Sequence, residues 1–108
     1  MNKTLTKFQQ LVFDTLHLIP KGRVVSYKEL AKKIGREGAS RAVGTALSLN
    51  SQPVIVPCHR VVKTNGELGN YTFNGTNQPT VKRDLLVKEG VFFRDDGRVE
   101  RDCFFTFI

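Results

Sequence analysis

The chain has 108 residues, with 17 Lys or Arg against 10 Asp or Glu for a formal net charge of +7, 40% apolar residues, two cysteines and no tryptophan. That is enough chain for one domain with a single core and too little for two. No apolar run approaches the ~20 residues of a membrane-spanning helix, the N-terminus lacks the apolar stretch and cleavage site of a secretory signal, and the balance of charged and apolar residues excludes a disordered chain. An intracellular protein is expected. So large a cationic excess on a small domain attracts polyanions, nucleic acid first, through counterion release and steering. A plain basic soluble protein is the other reading of the charge. Two cysteines make neither a disulfide framework nor a metal-ligand pattern.

Phe8, Leu11, Val12, Leu16 and Ile19 recur at helical spacing, which predicts an amphipathic helix over Lys7 to Ile19, capped by Thr4 or Thr6 and ended by Pro20 and Gly22. Arg23 to Val25 reads as a short strand, and Ser26 to Glu29 fits a capping box opening a second helix through Leu30, Ala31 and Ile34 to Gly35. After a loop from Arg36 to Ala39, Ser40 is expected to cap a third helix, Arg41 to Leu49, burying Ala42, Val43, Ala46 and Leu47. Two short helices with a brief connection containing glycine outline a helix-turn-helix. Val54 to Val56 reads as a buried strand-like run or a linker, Asn65-Gly66 as a turn, and Thr72 to Gln78 as a polar loop. A fourth helix is expected from Pro79 or Thr80 to Glu89, closed by Gly90. The tail from Val91 to Ile108 reads as a β-hairpin turning at Asp95-Asp96-Gly97. The expected class is mainly α with small β elements, a helix-turn-helix or winged-helix-like domain with a C-terminal hairpin.

Cys58 and His59 stand between Pro57 and Arg60, after an apolar run. A thiolate is the reactive form of cysteine, and a neighbouring histidine, an arginine or a helix N-terminus favours it. From chemistry alone Cys58 is a nucleophile or a buried structural thiol. Cys103, flanked by Phe104, is read as packing.

The run Pro57-Cys58-His59-Arg60-Val61 resembles the PCHRV active-site motif of the O6-alkylguanine-DNA alkyltransferases, the methylated-DNA–protein-cysteine methyltransferases. Val25-Ser26-Tyr27 with Leu30-Ala31, Arg41-Ala42-Val43-Gly44, Asn50-Ser51-Gln52-Pro53, Gly66 to Tyr71 and Lys88-Glu89-Gly90 follow the same family's order and spacing. The resemblance implies a repair protein that binds double-stranded DNA, flips O6-alkylguanine out of the stack and transfers the alkyl group irreversibly to its own cysteine. It implies Cys58 as acceptor, His59 as its base through a bridging water, Glu89 as the group orienting His59, and Asn50 as the brace of the turn before the cysteine. Tyr27 is implied as proton donor to guanine and as a residue pressing on the target's phosphate. Arg41 is implied as the finger replacing the flipped base, with Ser40 and Ala42 beside it on the DNA-binding face. The implied alkylguanine pocket takes in Leu47, Val61 through its backbone, Leu68, Tyr71 and Thr72.

The segment from Thr72 to Gln78 is longer than the small, glycine-rich stretch usual in the family. The cysteine and histidine ligands that give some relatives a structural zinc are missing, so neither metal nor cofactor is expected. The reading is of one catalytic, DNA-binding domain over residues 1–108, without a separate N-terminal domain, acting as a monomer. Two alternatives stand beside it. One is a damage sensor of the alkyltransferase-like kind, whose relatives replace the reactive cysteine and whose tail resembles this one; the other is a plain helix-turn-helix regulator, which leaves the PCHR run unexplained.

Overall fold

Thr6 opens the first helix by reciprocal capping: its Oγ1 accepts from the Gln9 backbone at 3.0 Å, and Gln9 Oε1 accepts from the Thr6 amide at 3.1 Å. The protein is described by a computed structural model over residues 6–107, so the alternative cap Thr4 lies outside the described residues. Helix α1 (Lys7–Leu16) stops before the expected Ile19. The chain tightens there into i→i−3 bonds, Leu18 to Thr15 and Ile19 to Leu16. Its inward face is centred on Val12 and Leu16 and includes Phe13, leaving Leu11 42% exposed.

Strand β1 (Val25–Ser26) leads directly into helix α2 (Tyr27–Lys33). Only half of the expected capping box forms, since Ser26 Oγ accepts from the Glu29 amide at 3.0 Å while the Glu29 side chain stays exposed. The helix ends in a Schellman turn, Gly35 bonding to Lys32 and Arg36 to Ala31, which needs the φ of +76° at Gly35. Helix α3 (Ser40–Ser48) is capped by Ala39, not by Ser40, which is its first helical residue, and no side chain caps it. Val43, Ala46 and Leu47 turn inward as expected, but Ala42 is exposed. Because α3 packs against both α1 and α2, the helix-turn-helix outline is real.

The apolar run after Pro53 is not a buried strand. Val56 bonds back to Gln52, Val54 has a φ of +76°, and Ile55 is 72% exposed. Prolines 53 and 57 remove two of the backbone donors that a strand there would need. Cys58–Arg60 form one 3₁₀ turn, and β2 (Val61–Val62) then pairs in parallel with β1, Val25 opposite Val61 and Ser26 opposite Val62.

The turn at Asn65-Gly66 forms as expected, with Gly66 bonding to Lys63. The expected polar loop is instead a hairpin, β3 (Thr72–Phe73) against β4 (Thr76–Asn77), turned by Asn74 and Gly75 at φ of 54° and 80°. That is the Asn-Gly pair of a two-residue primed turn. Helix α4 (Pro79–Lys88) carries its proline in the first turn and ends in a second Schellman turn at Gly90, with Glu89 as cap. In the tail, Phe93 pairs with Val99 across the Asp95-Asp96-Gly97 turn, with bonds from Arg94 to Arg98 and from Glu100 to Phe92 on either side, so the expected hairpin is short. A 3₁₀ turn, Arg101–Cys103, follows, and the hairpin gives way to a parallel bridge between Phe104 and Val24.

Two apolar clusters result. One holds Val12, Leu16, Val25, Leu30 and Val43 with Cys58 and Tyr71; the other holds Val24, Val62, Leu86, Val91 and Val99 with Cys103. Among the described residues no helix is long and apolar enough to cross a membrane.

Candidate functional site

The 3₁₀ turn points Cys58 and His59 to different sides of one wall. The Cys58 thiol is 4% exposed and looks into a cavity of about 810 Å³, while His59 is wholly buried behind it. Asn50, in the loop after α3, reaches across: its Nδ2 donates to the Val56 carbonyl at 2.9 Å and to Cys58 Sγ at 3.2 Å, and its Oδ1 accepts from the Gln52 amide. One amide thus fixes the irregular turn and also offers a donor to the sulfur.

His59 Nε2 lies 3.0 Å from Glu89 Oε2. The same carboxylate receives Arg60 Nε at 2.9 Å and Nη2 at 2.7 Å, while Arg60 Nη1 donates to the Ile19 carbonyl. A carboxylate partner makes Nε2 the protonated nitrogen, so Nδ1, which has no partner among the described residues, carries the lone pair. Burial pushes the Glu89 carboxyl up, but the hydrogen bonds from Arg60 and His59 outweigh it and leave the group below its ordinary range. Burial drives His59 below its ordinary value, and Glu89 only partly restores it. His59 is therefore a neutral base at pH 7. Burial raises the Cys58 thiol; the Asn50 hydrogen bond and the charge of Lys82 pull it partly back.

Opposite the thiol stands Tyr27, the first residue of α2, packed so closely on Gly69 that a Cβ there would come within 3.0 Å of its hydroxyl. Gly69 has a φ of +74°, so the position favours glycine on both counts. The Tyr27 hydroxyl donates to the Asn70 carbonyl and accepts from Lys82 Nζ, each at 3.4 Å. Burial and the neighbouring sulfur push this phenol up to about 12. Tyr71 is buried too and likewise pushed up to about 12, by burial first and Cys58 second. Its backbone is clasped by the hairpin, its amide donating to Asn77 Oδ1 and its carbonyl accepting from the Gln78 amide.

The cavity brings together most of the residues singled out in the sequence: Tyr27, Ser40, Arg41, Leu47, Cys58, Tyr71 and Thr72 all line it. Val61 and Leu68 do not. Val61 is wholly buried in the first cluster, and Leu68 packs on the second. Ala42 faces instead a shallower groove between α1 and α3, with Arg41 on the border of both spaces. His59, Glu89 and Asn50 stand behind the thiol, outside the lining.

Three residues escaped the sequence reading. Arg60 holds Glu89 in a bidentate grip, which the position after Cys58-His59 hints at only if Glu89 is known to be near. Lys63 lines the cavity but carries no motif. Lys82 sits in the first turn of α4 with 1% exposure, where its Nζ donates to the carbonyls of Leu68 at 2.6 Å and Asn70 at 3.3 Å. No sequence pattern separates it from the surface lysines around it. Among the described residues no group of three His, Cys, Asp or Glu side chains is placed to hold a metal ion.

The family described as 6-O-methylguanine DNA methyltransferase, DNA binding domain, matches residues 7–91. The methylated-DNA--protein-cysteine methyltransferase of Rattus norvegicus is 41% identical over 83 residues, 77% of this chain and 38% of that protein. The crystal structure of Mycobacterium tuberculosis OGT in complex with DNA superposes with a TM-score of 0.74 at 44% identity, over 82% of this chain and 53% of that one. S. pombe Atl1, in complex with damaged DNA containing O6-carboxymethylguanine, superposes with a TM-score of 0.77 at 25% identity, over 96% and 99% of the two chains. The chain thus spans about half or less of the first two relatives' length.

Proposed function

The chain belongs to the 6-O-methylguanine DNA methyltransferase family, and on that premise we propose that it repairs DNA by moving the alkyl group of O6-alkylguanine onto Cys58. The observation that carries this reading is the thiol itself. Cys58 Sγ faces a cavity, accepts a hydrogen bond from Asn50, and is backed by a neutral His59 whose free nitrogen is left by the Glu89 contact.

In the proposed reaction the thiol proton passes through a water to His59 Nδ1. The sulfur lone pair forms a bond to the alkyl carbon as the bond from that carbon to O6 breaks, and the electron pair departs with guanine. Tyr27 gives guanine a proton at its base edge and takes one back from solvent, while His59 later returns the thiol's proton to solvent, so protons balance over the single turnover. An attack in line with the breaking bond gains from fixed orientation. Because the product is a thioether, each chain turns over once. The buried thiol is not a ready-made thiolate, and this is why the reading needs a base behind it.

The partner in this reading is duplex DNA with one base extruded, bound by a monomer inside the cell, without metal or cofactor. Arg41, bordering both the cavity and the outer groove, fills the gap left by the base, offsetting part of an unstacking cost of a few kcal/mol. Ser40 and Ala42 beside it let α3 come close to the duplex, and Leu47, Tyr71 and Thr72 form the walls around the base. Residues 6–107 carry the nucleophile, its base and this DNA-binding face together.

Intact-protein mass after exposure to a duplex containing O6-methylguanine tests the reading. One methyl group per chain, mapped to Cys58, is expected, along with its loss in Cys58→Ala, which should still bind the duplex. Dealkylation by Cys58→Ala, or an unmodified wild-type chain, overturns it. An unmodified chain that still prefers the alkylated duplex is what a damage sensor would give.

A further inference from the structure

Lys63 begins the turn after β2, next in register to Tyr27 across the parallel β1–β2 pair, and lines the same cavity as Cys58. Its backbone is fixed at both ends, the amide donating to the Glu67 carbonyl at 2.8 Å and the carbonyl accepting from Gly66 at 2.9 Å. The nearest carboxylate along the chain, Glu67, is taken by Asn65, whose Nδ2 donates to it at 2.7 Å. Among the described residues Lys63 has no ion-pair partner, and no Asp or Glu lines the cavity. The backbone that carries the cation is therefore fixed, and the ammonium itself is uncompensated.

Depth separates what it meets. Cys58 is buried, so whatever reacts with sulfur lies at the bottom of the cavity, whereas Lys63 is exposed at its edge. A nucleotide turned into the cavity enters base first and leaves its phosphodiester at the edge. We propose that Lys63 binds the phosphate of the extruded nucleotide and so holds it in the turned-out state; this rests on the reading of the cavity as an alkylguanine site. An ammonium on a flexible stem suits a phosphate as a point charge. The alkyl group, directed at the floor, is out of this residue's province.

The test compares substrates with and without that phosphate. Lys63→Ala should lower the rate of methyl transfer from an O6-methylguanine duplex about tenfold and reduce the salt slope of duplex binding by about one. Reaction with the free base O6-methylguanine should be unchanged, and Lys63→Arg should restore the duplex rate. An unchanged salt slope and duplex rate overturns the assignment, as does an equal loss on the free base, which would put Lys63 at the reacting groups. Binding does not depend on transfer. A changed slope without any methyl gained by Cys58 would sink the transfer reading and leave the phosphate contact standing.

Discussion

Helix α4 and its cap carry one half-buried and one fully buried charge that the fold treats in opposite ways. Glu89, at its C-terminal cap, is met by the His59 ring and by two nitrogens of Arg60. Among the described residues Lys82, in its first turn, meets no carboxylate, only two carbonyls and the Tyr27 hydroxyl. It also sits toward the positive end of the helix dipole, which disfavours a cation. Glu89 is held ionised, and its role is geometric. Burial brings Lys82 down to about 7, with the Cys58 charge opposing that fall, so it responds to its neighbours near neutral pH. One charge stabilises the fold around the thiol, and the other is retained there at a cost to stability.

Removing the carboxylate should have the largest effect. Glu89→Ala leaves the Arg60 guanidinium, 15% exposed, without its counter-ion and His59 without its orienting partner. Breaking a buried pair from one side costs about 3–5 kcal/mol, readable as a lowered urea midpoint. Loss of the oriented base should slow methyl transfer by roughly 10²-fold or more. A stability loss below about 1 kcal/mol would place Glu89 with the weak surface pairs and undo the contrast.

Lys82→Met should act in the opposite sense on stability. The lysine binds its proton more weakly when folded than when unfolded, so between pH 7 and about 10.5 the unfolded chain holds more protons and the wild type gains stability as pH rises. The penalty is full below pH 7 and fades as pH rises through that window. Methionine, of similar length and apolar, removes it. The variant's advantage in urea midpoint should accordingly be greatest at pH 6–7 and shrink toward pH 10, while methyl transfer at pH 7 falls about tenfold for want of the cation beside the thiolate. Parallel midpoint curves for the two proteins would contradict the assignment of this penalty to Lys82.

The two charges also mark how far the sequence could be read. Helices α1 to α4 follow from periodicity and from local signals such as Thr6, Gly35, and Pro79 with Gly90, because caps act over three or four residues. Resemblance supplied Glu89 as a site residue, and the structure brings its carboxylate to His59 across 30 positions of chain. The burial of Lys82 depends on where Leu68, Asn70 and Tyr27 converge, and no neighbour in sequence announces that. Misreadings had physical causes too. Of the two readings of the Val54 to Val56 run, the buried strand fails and the connecting segment stands, because its flanking prolines leave a turn with Val54 and Ile55 exposed and Val56 packed on the core. Asn74-Gly75 is the same dipeptide as Asn65-Gly66, and polar neighbours hid the hairpin. The cavity edge at Lys63 emerged only when β2 paired with β1.

The contrast between a saturated and a responsive charge is sharpened by a neutral group on the same sulfur. Asn50 is the strongest of the influences that lower the Cys58 thiol, ahead of Lys82, yet carries no charge. Asn50→Ala should therefore raise the pH at which Cys58 reacts with a small haloacetamide, slowing that reaction several-fold at pH 7. Loss of the bonds to Val56 and Gln52 should cost about 1 kcal/mol in unfolding. Cys103, buried in the other cluster, serves as the internal control whose reactivity should not change. In the double variant with Lys82→Met, the two upward shifts should combine, since both groups favour the same thiolate from different sides. If Asn50→Ala leaves the Cys58 titration where it was, the amide braces the turn alone, and Lys82 is left as the side-chain group that favours the ionised sulfur.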